Sequence, residues 1–479
     1  MKRLHLNKLL ISSLIYLQLV IFVSTLFVPL ISGEDFSSDV SQSLLVFVFL
    51  ECLFLSRVGK AFNVYQIFLL MMFLFSIALP FFVEFGWFSY PSGNRIMLGD
   101  GMNTAVSNKT LSETYVVLIS MLLGTSIGWL IGMLQLNMNI RRSEFFTLNK
   151  IYKVKYRNSI KKLFFILLIL VVYKNLVLVY YSTIYGYVEV MHLKSVNLNT
   201  SRILIIADTL FKMAGYSLLF LSRNHKQFIK YSILVMIPYI IQIATGARGE
   251  TIAVLLTLIF IYSQFFKELN FKKIIPTALI IFISTTVLGS FRFTRDLGSV
   301  LLSISIPTLI VLGIVSNASS LGVLAYTIEI KDQFFNKVPF LFGYIQGIFS
   351  FAPNYTIEGI ENKNYLAQHV TYLINPNKLY GGSTIGTSMG AEFYEFSNGH
   401  MVVIFILSIL LLYFASYFIS RLNKNVIMFY IGAFYLELLW LSPRGSVMKI
   451  FSKESLFSVV VLIFIIYSSR FRKISSIKK

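Results

Sequence analysis

The sequence predicts an all-α polytopic membrane protein with about 12 transmembrane helices and one large outer loop, and three observations carry that expectation. The chain of 479 residues is 56% hydrophobic and only 13% charged, with a mean hydropathy of +0.74. Its apolar residues fall into runs of bilayer-spanning length. Its basic residues gather in short loops between those runs, where they act as orientation signals.

Taken in order, the runs lie near residues 9–32, 42–56, 64–86, 114–137, 163–185, 202–221, 231–245, 251–266, 274–291, 401–420, 426–441 and 454–469. A helix needs roughly 20 apolar residues to cross, so the shorter runs imply irregular ends or little tilt. The first run follows Met1-Lys2-Arg3 and has no small-residue cleavage site before Gly33, so it reads as a spanning helix. Lys2, Arg3 and Lys8 keep the N-terminus in the cytoplasm, and alternate loops then sort by sign. The inside set includes Arg57 and Lys60, the basic stretch from Arg141 to Lys162, Lys267 to Lys273, Arg421, Lys424 and the tail from Arg470 to Lys479. Both termini are expected inside.

Residues 299–330 are apolar enough to cross, but a single crossing would put the basic tail outside. Pro307, Gly313, Asn317 and Ser319-Ser320 break the run, which therefore reads as re-entrant, interfacial or an even number of crossings. The expected organisation is helices 1–9 in residues 1–298, this segment and a large extracytoplasmic loop in 299–400, and helices 10–12 with a basic cytoplasmic tail in 401–479.

The net charge of +21 does not point to nucleic acid, because it is spread through short loops. The single cysteine, Cys52, lies in an apolar run and reads as a small buried hydrophobe. The five histidines lack metal-ligand spacing, and no phosphate-binding loop or dinucleotide fingerprint is present. No metal and no cofactor are expected.

Four arginines stand out. On this topology Arg248, Arg292, Arg295 and Arg444 all emerge at helix ends on the outer face, against the general bias of positive charge. Guanidinium groups at headgroup depth bind phosphate oxygens bidentately, so together they suggest a lipid phosphate or pyrophosphate site. Gly246 and Gly249 flank Arg248, allowing the backbone to approach a ligand, while Glu250 either caps the helix that follows or satisfies an arginine.

The outer loop supplies the second group. Tyr380, Ser383 and Tyr394 are interleaved with glycines in the manner of a sugar-binding loop. Glu392 and Glu395, three apart on one helical face, and His369 are candidate bases for an acceptor hydroxyl. Solvated loop charges are the plainer reading of all three. Within the spans Glu51, Glu84, Lys174, Asp208, Lys212 and Glu437 need partners, and the four-residue spacing pairs Asp208 with Lys212. That pair reads as structural, although buried pairs also mark transporter relays.

Three stretches resemble the O-antigen and capsular polysaccharide polymerases of the Wzy type, in the O-antigen ligase-like superfamily. They are Gly246-Ala247-Arg248-Gly249-Glu250; Gly289-Ser290-Phe291-Arg292 with Arg295-Asp296; and the loop ending Gly381-Gly382-Ser383-Thr384-Ile385-Gly386 and Ala391-Glu392-Phe393-Tyr394-Glu395-Phe396. The resemblance implies a GT-C-like, metal-independent glycosyltransferase of the bacterial inner membrane. It implies transfer of a glycan from one undecaprenyl-pyrophosphate carrier onto the sugar of a second lipid-linked repeat unit. The arginines become pyrophosphate clamps, and a flippase and a chain-length regulator become possible partners beside membrane lipid. The alternatives are a ligase-type transferase and a non-enzymatic flippase or transporter of lipid-linked oligosaccharide.

Overall fold

The computed structural model describes residues 2–32, 36–57, 63–89, 95–99, 102–136, 154–185, 202–222, 224–244, 249–266, 319–334, 339–350, 352, 355–380 and 384–477. Eleven of the twelve expected spans are helices; the run near 274–291 lies outside the described residues. They are α1 (Lys2–Ser32), α2 (Ser38–Leu55), a third span made of α3 (Val64–Met72), a π-helical turn (Phe73–Ile77) and α4 (Ala78–Glu84), then α5 (Asn108–Gln135) and α6 (Val154–Tyr185). After these come α7 (Arg202–Phe220), α8 (His225–Ile243) and α9 (Gly249–Phe265). Seven of the described helices are long and apolar enough to cross a membrane, among them Asn108–Gln135 and Met401–Arg421. Because backbone polar groups find no partner in hydrocarbon, helices are what such runs must form.

The expected large loop is not bare. The segment before it, 299–330, holds α10 (Ser319–Glu329), and the loop itself contains α11 (Gly343–Phe349), α12 (Ile357–Lys363), α13 (Leu366–Ile374), α14 (Pro376–Tyr380) and α15 (Met389–Phe396). Polar caps punctuate it: Thr356 accepts the Gly359 amide at 3.0 Å and Ser388 that of Ala391 at 3.2 Å. The described part of α10 is buried except at Tyr326 and Glu329. The chain closes with α16 (Met401–Arg421), α17 (Val426–Leu441), 3₁₀ turns at Ser442–Arg444 and Val447–Phe451, and α18 (Lys453–Ile477).

One hairpin interrupts the helices. β1 (Arg95–Gly99) pairs antiparallel with β2 (Met102–Ala105), Arg95 opposite Ala105. The sequence signal is Asp100-Gly101, the hairpin dipeptide.

The tightest packing is between α5 and α16. Gly124, Gly128 and Gly132 form a stripe of every-fourth-residue glycines along α5. A Cβ on Gly124 would stand 2.5 Å from the Phe405 carbonyl oxygen, and one on Gly132 would stand 2.5 Å from Ser416 Oγ. Small residues at this spacing let backbones approach where no hydrophobic force drives helices together. The stripe fixes α16, and hence α15 immediately before it.

Candidate active site

Among the described residues, the candidate site residues lie on the close of α17, the two 3₁₀ turns after it, the start of α9, and the loop helices α11 to α15. Glu392 occupies the first turn of α15 and is 3% exposed. The Ser446 and Thr387 hydroxyls lie beside it, yet its Oε2 makes no hydrogen bond among the described residues. Burial, reinforced by the charge of Glu395, pushes its pKa up to about 8. Glu395 stands one turn further on and accepts the Phe340 amide at 2.9 Å. Burial raises it to about 7, the Phe340 bond holding it lower than burial alone would.

His369 also meets Phe340, its ring edge-on at 4.7 Å. It is fully buried, and its Nε2 pairs with the Ile360 carbonyl at 3.2 Å, which fixes the proton on that nitrogen. Burial lowers its pKa to about 4. The three candidate bases therefore share one neighbourhood, but only the carboxyls have values near neutrality.

Tyr394 is 1% exposed; its hydroxyl donates to Glu113 at 2.6 Å and accepts from Lys331 at 3.3 Å. That bond fastens α15 to α5. Tyr380 is 47% exposed and meets Tyr372 edge to face at 6.3 Å. Ser383 lies outside the described residues, as do Gly246, Arg248, Arg292 and Arg295.

Arg444 ends the first 3₁₀ turn, exposed, with its guanidinium 5.8 Å from the Phe75 ring centre. Phe75 belongs to the π turn of the third span, a local widening that is frequent at functional sites. Two residues later Ser446 caps the second turn, accepting the Met448 amide at 3.2 Å, and its hydroxyl faces Glu392. Lys449 is exposed on that same turn. The short excursion 442–451 thus brings the Ser446 hydroxyl to the buried carboxyl and carries Arg444 and Lys449, both exposed, on the same pair of turns. Gly249 opens α9 against Leu441, the last residue of α17, so the element following Arg248 begins beside the one preceding Arg444.

The buried charges correct one expectation. Asp208 and Lys212 do not pair with each other: Asp208 pairs with Lys174 of α6, and Lys212 donates to Glu437 of α17 and, at 2.5 Å, to Glu250 of α9. The four-residue spacing is right for a same-helix pair, but carboxylates on neighbouring helices sit closer in the packed bundle. Glu250 accordingly turns to Lys212 rather than serving only as a cap. Tyr216 completes the group, donating to Glu437 at 2.8 Å. The other two intramembrane carboxylates take amide and hydroxyl partners, Glu51 from Gln18 at 2.5 Å and Glu84 from Ser43 at 2.6 Å. Sequence alone singles out Glu51, Glu84, Lys174, Asp208, Lys212 and Glu437 as needing partners, but it cannot show which helix supplies each one.

Compared with protein families, residues 10–473 match the family model described as O-antigen polysaccharide polymerase Wzy. No curated protein and no solved structure matches the chain.

Proposed function

The chain belongs to the O-antigen polysaccharide polymerase Wzy family, a family of multi-pass proteins of the bacterial inner membrane that polymerise lipid-linked oligosaccharide repeat units, and from that premise we propose the following reaction. At the outer face, with both termini in the cytoplasm, a hydroxyl on one lipid-linked repeat unit attacks the anomeric carbon of the glycan on a second carrier. The new glycosidic bond forms as the bond from that carbon to the carrier pyrophosphate breaks, and the pyrophosphate departs with the electron pair. Arg444, with Arg248, Arg292 and Arg295 and the backbone at Gly246 and Gly249, stabilises the charge growing on undecaprenyl pyrophosphate, so no metal is required. Glu392 takes the hydroxyl proton. Glu395 and His369 shape its surroundings, while Tyr380 and Ser383 meet the sugar and Tyr394 anchors α15.

The observation that supports this reading most is the position of Glu392. A buried carboxyl with an unpartnered oxygen sits beside the excursion that carries Arg444. The test incubates purified protein with undecaprenyl-pyrophosphate-linked repeat units and a metal chelator, then resolves products by chain length. A ladder that Arg444→Ala and Glu392→Gln diminish supports the proposal. Absence of a ladder, together with movement of the same lipid across reconstituted vesicles, would replace it with a transporter.

A further inference from the structure

Lys212 is bonded to two carboxylates of very different standing. Glu437 is 1% exposed, is held by the Tyr216 hydroxyl at 2.8 Å as well as by Lys212, and is the fixed partner. Glu250 has a side chain 37% exposed, sits on the first turn of α9, and has Lys212 as its one hydrogen-bond partner among the described residues. The positive charges of Lys449 and Lys174 also act on the Glu250 carboxylate. Lys212 therefore holds one fixed carboxylate and one more accessible one, and the accessible one lies at the end of the bundle that carries Arg444, within the field of two further ammonium groups.

A second observation points to a ligand at the same place. The Tyr239 ring lies under the Lys212 ammonium at 5.5 Å, and the residue is 3% exposed. Its hydroxyl is buried without a hydrogen-bond partner among the described residues. A buried donor left unused beside a cation is costly unless something accepts from it.

We propose that Glu250 holds the place of a phosphate group, and that an anionic phosphate entering past Lys449 displaces the Glu250 carboxylate from Lys212 and accepts the Tyr239 hydroxyl. Glu437 and the Tyr239 ring keep Lys212 in position during the exchange. A phosphate carries more charge and more acceptor oxygens than the carboxylate it replaces, which favours the swap. This rests on the reading that the substrates are lipid-linked pyrophosphates. Two carriers meet in each reaction, so an anion site additional to the arginine clamp gives the second carrier a place. The same chemistry would also accept a phospholipid headgroup.

The exchange makes a prediction opposite in sign to that of a purely structural ion network. Thermal unfolding of the full-length protein in non-ionic detergent is followed against inorganic pyrophosphate, since a ligand bound to the folded state raises Tm. Glu250→Gln removes the competitor while leaving Lys212 neutralised by Glu437, and the half-saturating pyrophosphate concentration falls by about tenfold. The charge-balanced pair Lys212→Met with Glu437→Gln raises it, and so does the near-isosteric Tyr239→Phe, which tests the site even if the charge variants fold poorly. A half-saturation unchanged or raised by Glu250→Gln, or unmoved by Tyr239→Phe, overturns the proposal. A parallel titration with short-chain phosphatidylglycerol separates the sources: sensitisation to that lipid alone assigns the site to headgroups, and sensitisation to pyrophosphate assigns it to substrate. The chain ladder is scored separately on the same preparations. Its loss with the pyrophosphate response intact would count against the polymerase reading and not against the site.

Discussion

Glu395 accepts the Phe340 amide at 2.9 Å, whereas Glu392, one turn earlier on α15, leaves Oε2 without a hydrogen bond among the described residues. Two carboxyls that look equivalent in sequence thus differ in their bonding. Glu395 accepts a backbone amide, whereas Glu392, with the Ser446 and Thr387 hydroxyls beside it, keeps one oxygen without a partner among the described residues. Glu392→Gln should lower the single-turnover rate of chain extension by about a hundredfold or more, the usual scale of general base catalysis. Glu395→Gln should cost far less rate and little stability, because the Phe340 amide still finds an acceptor in the amide oxygen, whereas Glu395→Ala, which leaves that amide without one, should lower Tm. Equal rate losses in the two Gln variants would remove the distinction.

The raised pKa of Glu392 gives its role a pH signature. A base that must be ionised and titrates near 8 makes the rate climb about tenfold per pH unit below that point and level off above it. The stability effect has the opposite slope. A carboxyl whose folded value lies above its ordinary 4.5 contributes stability in full below 4.5, and loses it as pH rises through about 8. Comparing Tm against pH for wild type and Glu392→Gln should show the variant flatter across that window.

His369 acts at the other end of the scale. Its folded value is depressed from 6.5 to about 4, so the stability from burying it neutral is present above 6.5 and lost as pH falls through about 4. Replacing His369 with Gln should blunt acid unfolding in this range. A steep fall between these values that persists in the variant would assign the acid sensitivity elsewhere.

The spans were legible because lipid leaves the backbone no choice: a run such as Leu9 to Ile31 has to be a helix, and α1 covers it. The spacing of Glu392 and Glu395 placed both on one helix for a similarly local reason. What remained hidden was everything that depends on neighbours distant in sequence. Lys212 and Glu437 are 225 residues apart and meet only because α7 packs on α17. Glu392 differs from an ordinary loop glutamate because it is buried, with the Ser446 hydroxyl of a distant element beside it. The hairpin at Arg95–Ala105 was locally signalled by Asp100-Gly101 but is too short to register against long apolar runs.

The α5–α16 contact offers a test of the scaffold. Valine at Gly124 would drive a branched side chain into the Phe405 carbonyl and the Ser408 Cβ, 2.5 and 2.8 Å from the first added carbon. Overpacking of this kind typically costs about 1–3 kcal/mol. A clear fall in Tm is expected, with loss of activity following the loss of fold. Unchanged stability would mean that the helices separate more easily than their packing implies.

Arg444 should bind anion in a geometry that Phe75 helps set. Phe75→Leu preserves bulk but removes the aromatic face, and it should raise KM for the lipid-linked substrate about two- to fivefold with kcat little changed. Arg444→Lys keeps the charge but loses the fork, and should be the more damaging of the two. The split between KM and kcat is the readout, since a general loosening of the fold would depress both.

If the proposed reaction joins two lipid-linked repeat units with Glu392 as the base, each new bond displaces one carrier pyrophosphate. The most direct measurement counts undecaprenyl pyrophosphate released against glycosidic bonds formed, with chelator present, for wild type and Glu392→Gln. The account predicts a ratio of about one, as the stoichiometry of nucleophilic displacement requires, and both quantities falling together in the variant. Bonds formed without carrier release, or a variant as fast as wild type, would contradict it.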